Sequence, residues 1–137
     1  MPENKHRLIT RADFDGVVCG GLFHELGMID DIAFAEPNDM QQGRVPVSDK
    51  DISTNLPFVD GIHLCFDHHR SELERVGEKE NLIIDAAAPS AARVVYRHFG
   101  GKKAFPDILR NCWMRWIRRI PPNIPARISW FPKNGRC

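Results

Sequence analysis

Short apolar runs alternate with stretches of helical spacing through about the first hundred residues of the chain, and this alternation restricts the fold most. The runs are "HRLITRAD", "DIAFAEP", "DISTNLP", "GIHLCFD" and "NLIIDAA". "GIHLCFD" is nearly continuous in apolar character, as a parallel strand covered on both faces should be. Between and after them, "DGVVCGGLFHELG" places Val18, Cys19, Leu22, Phe23 and Leu26 on one helical face with Gly27 as a stop, and "PSAARVVYRHFGG" does the same with Ala92, Val95, Tyr96 and Phe99. Strands alternating with helices predict an α/β fold, an open and mostly parallel sheet flanked by helices. At 137 residues the chain has room for one core.

Charge divides the chain in two. Residues 1–107 hold all 18 acidic side chains and 12 of the 19 basic ones, a net −6, whereas residues 108–137 hold no acid and all three tryptophans. We therefore expect an α/β domain over 1–107 and an irregular, basic, aromatic tail over 108–137. The four cysteines form no CxxC pair, which argues against a zinc ribbon and for a reduced compartment. No apolar run approaches the roughly 18–20 residues of a bilayer span, and "MPENKHRLIT" lacks a leader pattern. The expectation is a cytoplasmic protein with no membrane partner.

Two motifs carry chemistry. In "ADFDG", strand alternation would turn Asp13 and Asp15 to one side and Phe14 into packing, with Gly16 allowing a tight turn into the first helix. Ligand crevices of open α/β sheets lie at such strand ends, where two carboxylates suit a hard divalent ion. A DxDG surface turn is the plain alternative. In "FDHHRSE", Asp67, His68, His69 and Arg70 follow an apolar strand. Adjacent histidines in extended chain point opposite ways, so one imidazole would ligate metal and the other face substrate, with Asp67 fixing a tautomer. Ser90 reads as a helix cap that could also cradle phosphate.

"DFDG" followed by "DHH" resembles the DHH phosphoesterase superfamily. The wording "LITRADFDGVVCGGLFHELGMID", "NLPFVDGIHLCFDHHRSE" and "PSAARVVYRHFGG" is most similar to its exopolyphosphatase-related branch. The resemblance implies a Rossmann-like domain that hydrolyses phosphoesters or phosphoanhydrides through a water activated by two divalent ions, manganese or alternatively magnesium, about 3.5–4 Å apart. It implies Asp13, Asp15 and His68 as metal ligands and Asp67, His68 and His69 as the catalytic group. His69, Arg70 and Ser90 would bind substrate phosphate. The second family motif falls on Asn55, with Asp51 and Asp49 upstream as weaker alternatives, and Arg11 stands where many relatives carry a histidine. Expected partners are a small phosphorylated molecule, a short oligonucleotide or polyphosphate, and a second copy of the chain.

The tail admits three readings. One is a basic nucleic-acid arm, since arginine and tryptophan hold phosphates and stack on bases. Another is a disordered end, which its tryptophans and isoleucines suit badly. The third is a shifted reading frame, because the DNA behind "CWMRW" read in another frame gives an acidic phrase similar to the family's next segment. On that reading the domain is C-terminally truncated and could be a remnant that binds metal or nucleotide without turnover. Sequencing the gene across the codons for Ile108 to Trp113 tests it.

Overall fold

The computed structural model describes residues 5–105. The expected tail, 108–137, lies outside the described residues. Five strands form one sheet: β1 (His6–Thr10), β2 (Ile29–Phe34), β3 (Asp51–Thr54), β4 (Leu64–Asp67) and β5 (Leu82–Ile84). They run in the order β2-β1-β3-β4-β5, and every pairing is parallel. The expected α/β class with a parallel sheet is what the chain adopts, and all five apolar runs contain a strand.

The connections are α1 (Phe14–Glu25), α2 (Pro37–Gln41), α3 (Arg70–Val76) and α4 (Ala91–His98), followed by a 3₁₀ turn at Gly101–Lys103. Both helices read from the sequence are present, and their stops are physical. Gly27 and Gly100 take φ of 68° and 111°, the left-handed region that ends helices at low cost only for glycine. α2 and α3 are short additions with no apolar periodicity of their own.

Both faces of the sheet are covered, and strand alternation divides its residues between them. Leu8, Ile52 and Phe66 face α1 and α4 in the main core with Leu22, Phe23, Val94 and Val95. Phe23 and Phe66 meet edge to face with centroids 5.6 Å apart. On the other face Ile9 packs with Met40 of α2 and Leu56, while Cys65 packs with Phe58, Ile62 and Leu82. Full burial of the large side chains, at about 1.5–3 kcal/mol each relative to exposure, supplies the driving force. Among the described residues, no helix is long and apolar enough to cross a membrane.

Strand order fixes where a ligand can sit. Helix α1 leaves the tip of β1 toward one face, whereas the chain after β3 carries Leu56 to the opposite face. In an order of 2-1-3-4-5 this divergence between β1 and β3 is the topological switch point, where crevices open beyond the carboxyl ends of the strands.

Candidate active site at the strand tips

The first motif is built by capping rather than by strand alternation. β1 ends at Thr10, so residues 11–16 are free of the two-residue period. Asp13 is the N-cap of α1, and its Oδ1 accepts from the Gly16 amide at 2.8 Å. Phe14 is then the first helical residue and is 70% exposed, not packed as alternation required. Gly16 serves close approach rather than a turn. A Cβ there would meet the Arg11 carbonyl oxygen at 2.1 Å and Thr10 Oγ1 at 2.8 Å. Thr10 is in turn bonded to Thr54 across the strand pair, Oγ1 to Oγ1 at 2.8 Å.

Asp15 has a structural duty that the sequence did not reveal. Its Oδ1 and Oδ2 accept from the amides of Ala92 and Ala91 at 2.9 and 3.1 Å, so a carboxylate in the first turn of α1 holds the N-terminus of α4. Ser90 Oγ accepts from Arg93 N at 3.2 Å. Three amides at this helix start are thereby occupied, and Ser90 acts as the plain cap, with no amide among these three left for phosphate.

Asn55 and Asp51 separate cleanly. Asp51 begins β3, at the end of the sheet away from the strand tips, where it is buried and accepts from Arg7 Nε at 2.8 Å and the Ser48 amide at 2.8 Å. It is a structural ion pair, so the alternative placement of the second motif on Asp51 is set aside. Asn55 directly follows β3, is 7% exposed, and holds φ of 58°, a conformation uncommon outside glycine and most tolerated by Asn. Its Nδ2 lies 3.4 Å from Asp13 Oδ2, which joins the tips of β1 and β3 across the switch point.

At the tip of β4, Asp67 is 2% exposed. Burial pushes its carboxyl above the ordinary value, against hydrogen bonds from His69 and the His68 amide that pull it down. Both of those bonds use Oδ1, from His69 Nδ1 at 2.7 Å and His68 N at 2.8 Å. With Asp67 ionised, His69 carries its proton on Nδ1 and keeps the Nε2 lone pair. The carboxylate therefore fixes the tautomer of His69, not of His68. The two imidazoles do not point apart either; their centroids lie 4.2 Å from one another. The strand stops at Asp67 and His69 is the N-cap of α3, so alternation no longer applies.

Asp67, His68 and His69 each offer a ligand atom within 4.8 Å of the others, and among the described residues this is the one group of its kind. One buried carboxylate, with Oδ2 accepting from no described group, and two imidazoles suit a divalent transition ion. Asp13 and Asp15 stand outside that group, one turned to Gly16 and Asn55 and the other to α4. Arg70 also points elsewhere: its side chain is 82% exposed and lies 3.6 Å from Glu74 one turn on.

A cleft of about 260 Å³ joins the three tips, lined by Arg11, Asn55, Pro57, Asp67, His69, Ser71 and Glu72 among others. Glu72 clamps two of its walls together. Its Oε2 accepts from Phe58 N at 2.9 Å and from Arg75 Nη2 at 2.9 Å, while that same Nη2 donates to the Phe58 carbonyl at 2.9 Å. Burial opposes the charge on Glu72, but Arg75 and the Phe58 amide outweigh it and hold the carboxyl below its usual range. Arg11, Ser71 and Glu72 were not singled out as site residues from sequence. The signal for Arg11 was its place two residues before the first motif aspartate; for the others there was none.

No family model and no curated protein matches the sequence. A solved structure does: the pGpG-specific phosphodiesterase PggH from Vibrio cholerae is 49% identical over 82% of this chain, with a TM-score of 0.70. The match spans 35% of that protein's length. With that identity, the shared parallel fold, and the DFDG and DHH elements at the tips of β1 and β4 on either side of β3, the chain belongs to the DHH phosphoesterase superfamily.

Proposed function

We propose that the chain is a metal-dependent phosphoester hydrolase domain whose substrate is a short phosphorylated nucleotide. The carrying observation is the Asp67–His68–His69 group at one wall of a cleft whose other wall is Arg11 and Asn55. The 49% identity to a pGpG phosphodiesterase supports the reaction class and makes a dinucleotide the first substrate to test. Polyphosphate, favoured by the sequence wording, is the second.

Asp67 and His68 hold a divalent ion in this reading, and Asp13 and Asp15 serve a second at the switch point. The mixed oxygen and imidazole set fits manganese better than magnesium, which favours oxygen alone. Such ions supply a more acidic water and neutralise charge on the phosphoryl oxygens. The protein's own part is positioning. Asp67 sets the His69 tautomer so that Nε2 can meet the phosphoryl group or its proton, and Asn55 anchors Asp13. Ser71 lines the cleft, and among the described residues no base is hydrogen-bonded to it, which favours water over this side chain as the nucleophile.

The test combines two measurements on the full chain. Calorimetric titration with Mn²⁺ should show binding that His68→Ala abolishes, and pGpG with Mn²⁺ should be cleaved by the parent and not by His68→Ala. Metal binding without turnover would leave a binding domain; absence of both would end the hydrolase reading.

A further inference from the structure

Phosphate recognition read from the sequence rested on His69, Arg70 and Ser90, and the geometry leaves only His69 facing the cleft. Arg70 reaches out along α3 to Glu74, and Ser90 caps α4. An anionic substrate still needs a cation, because Asp67 and Glu72 both line this cleft. The charge of Glu72 is taken by Arg75 and that of Asp67 faces His69. Arg11 is the one lining residue with a permanent positive charge. Its Nε lies 3.8 Å from Asp13 Oδ2, too long for a hydrogen bond, and among the described residues its guanidinium donates none. The Arg11 carbonyl lies against Gly16, where a Cβ would collide with it. Ser71, in the first turn of α3, brings a hydroxyl to the same cleft, without a hydrogen-bond partner among the described residues.

We propose that Arg11 and Ser71 form a subsite for a terminal phosphomonoester of the substrate, beside the metal group and distinct from Arg70 and Ser90. The inference rests on the phosphoester reading above. An arginine fork matches two phosphate oxygens at once, and a phosphomonoester carries about −1.5 to −2 charge at neutral pH, more than an internal diester. The cleft, of about 260 Å³, has room for a phosphate group beside Arg11 and Ser71. The substrate class is a short oligonucleotide that ends in phosphate.

The experiment compares binding of pGpG and of GpG, which lacks the terminal phosphate, to the full chain by calorimetry with and without Mn²⁺. The parent should prefer pGpG by about tenfold or more, the scale of a charge-assisted bidentate contact. Arg11→Gln should erase that preference while its Mn²⁺ titration stays as in the parent; Arg11→Lys should recover part of it, and Ser71→Ala should reduce it. Arg70→Gln should leave it intact. Equal binding of the two dinucleotides by the parent would overturn the subsite. So would a preference that survives Arg11→Gln or disappears in Arg70→Gln. If the parent binds no Mn²⁺ yet shows an Arg11-dependent preference, the subsite stands and the hydrolase reading falls.

Discussion

Replacing Asp15 tests the double duty the structure gives this carboxylate. As a site residue it is expected to take part in metal binding, so Asp15→Ala is an obvious inactivating variant. Yet its two oxygens also accept the Ala92 and Ala91 amides at 2.9 and 3.1 Å. Removing a capping acceptor costs about 0.5–2 kcal/mol at a helix N-terminus, and loss of negative charge there adds about 0.3–1 kcal/mol. Helix α4 supplies Ala91, Ala92, Val94 and Val95 to the main core, so its start cannot fray without exposing apolar surface. We expect Asp15→Ala to lose about 1.5–2.5 kcal/mol. A domain of this size would then melt roughly 6–20 °C lower, at about 4–8 °C per kcal/mol. Asp15→Asn keeps one acceptor oxygen and should lose less than half as much.

Urea unfolding followed by circular dichroism measures this, without metal so that ligation does not enter. Ser90→Ala removes the Arg93 cap from the same helix, and the double variant should depart from additivity by at least about 0.5 kcal/mol. If Asp15→Ala unfolds at the parent's midpoint, Asp15 does not hold α4. If Asp15→Asn is as damaged as Asp15→Ala without metal, the lost charge and not the lost acceptor accounts for the effect.

Three further outcomes follow from the geometry. The Glu72 carboxyl is held below its usual range, so its stabilising effect is present above the ordinary glutamate pKa and fades as pH falls through the folded value; the stability gap between parent and Glu72→Gln should be full at pH 6 and shrink below pH 4 in urea titrations. Burial pushes the Cys65 thiol up to about 12 and raises Cys19 as well, so iodoacetamide at pH 8 should leave both unmodified in the native protein and alkylate both in urea, as peptide mass mapping will show. Gly16→Ala forces a Cβ to within 2.1 Å of the Arg11 carbonyl; it should cost about 1–3 kcal/mol as an overpacked site does and weaken binding of phosphorylated dinucleotide more than Gly20→Ala, whose neighbour is the movable tip of Ile32.

The sheet was legible because a parallel strand buried on both faces must be apolar at consecutive positions, and "LCF" in β4 displays that directly. Leu8 and Ile9 show it again: neighbours in sequence, they enter cores on opposite faces of the sheet. Periodicity failed where the strands stopped. Asp13, Phe14 and Asp15 were assigned sides by a two-residue period that ends at Thr10, and the helix cap at Asp13 turned Phe14 outward. His68 and His69 failed identically at the tip of β4. Functional side chains of an open sheet cluster just beyond the strands, where local capping replaces alternation, so sequence can name them while misjudging their direction.

Strand order explains why Ser71 escaped notice and why Arg11, though noticed, was not placed in a cleft. Nothing in the chain says that β3 lies beside β1, since forty residues with a whole strand between them separate Arg11 from Asp51. Only that adjacency lets Asn55 reach Asp13 and makes the wall after β1 face the wall after β4. The left-handed backbone of Asn55, with φ of 58°, is kept by the bonds around it: its amide donates to the Phe66 carbonyl at 3.0 Å and its side chain to Asp13 at 3.4 Å. Strain of about 1–3 kcal/mol persists at such a position only where the surroundings over-determine it. Here the surroundings are the strand tips on either side of the cleft, so the residue that departs most from ordinary backbone is also the one that ties the three tips together.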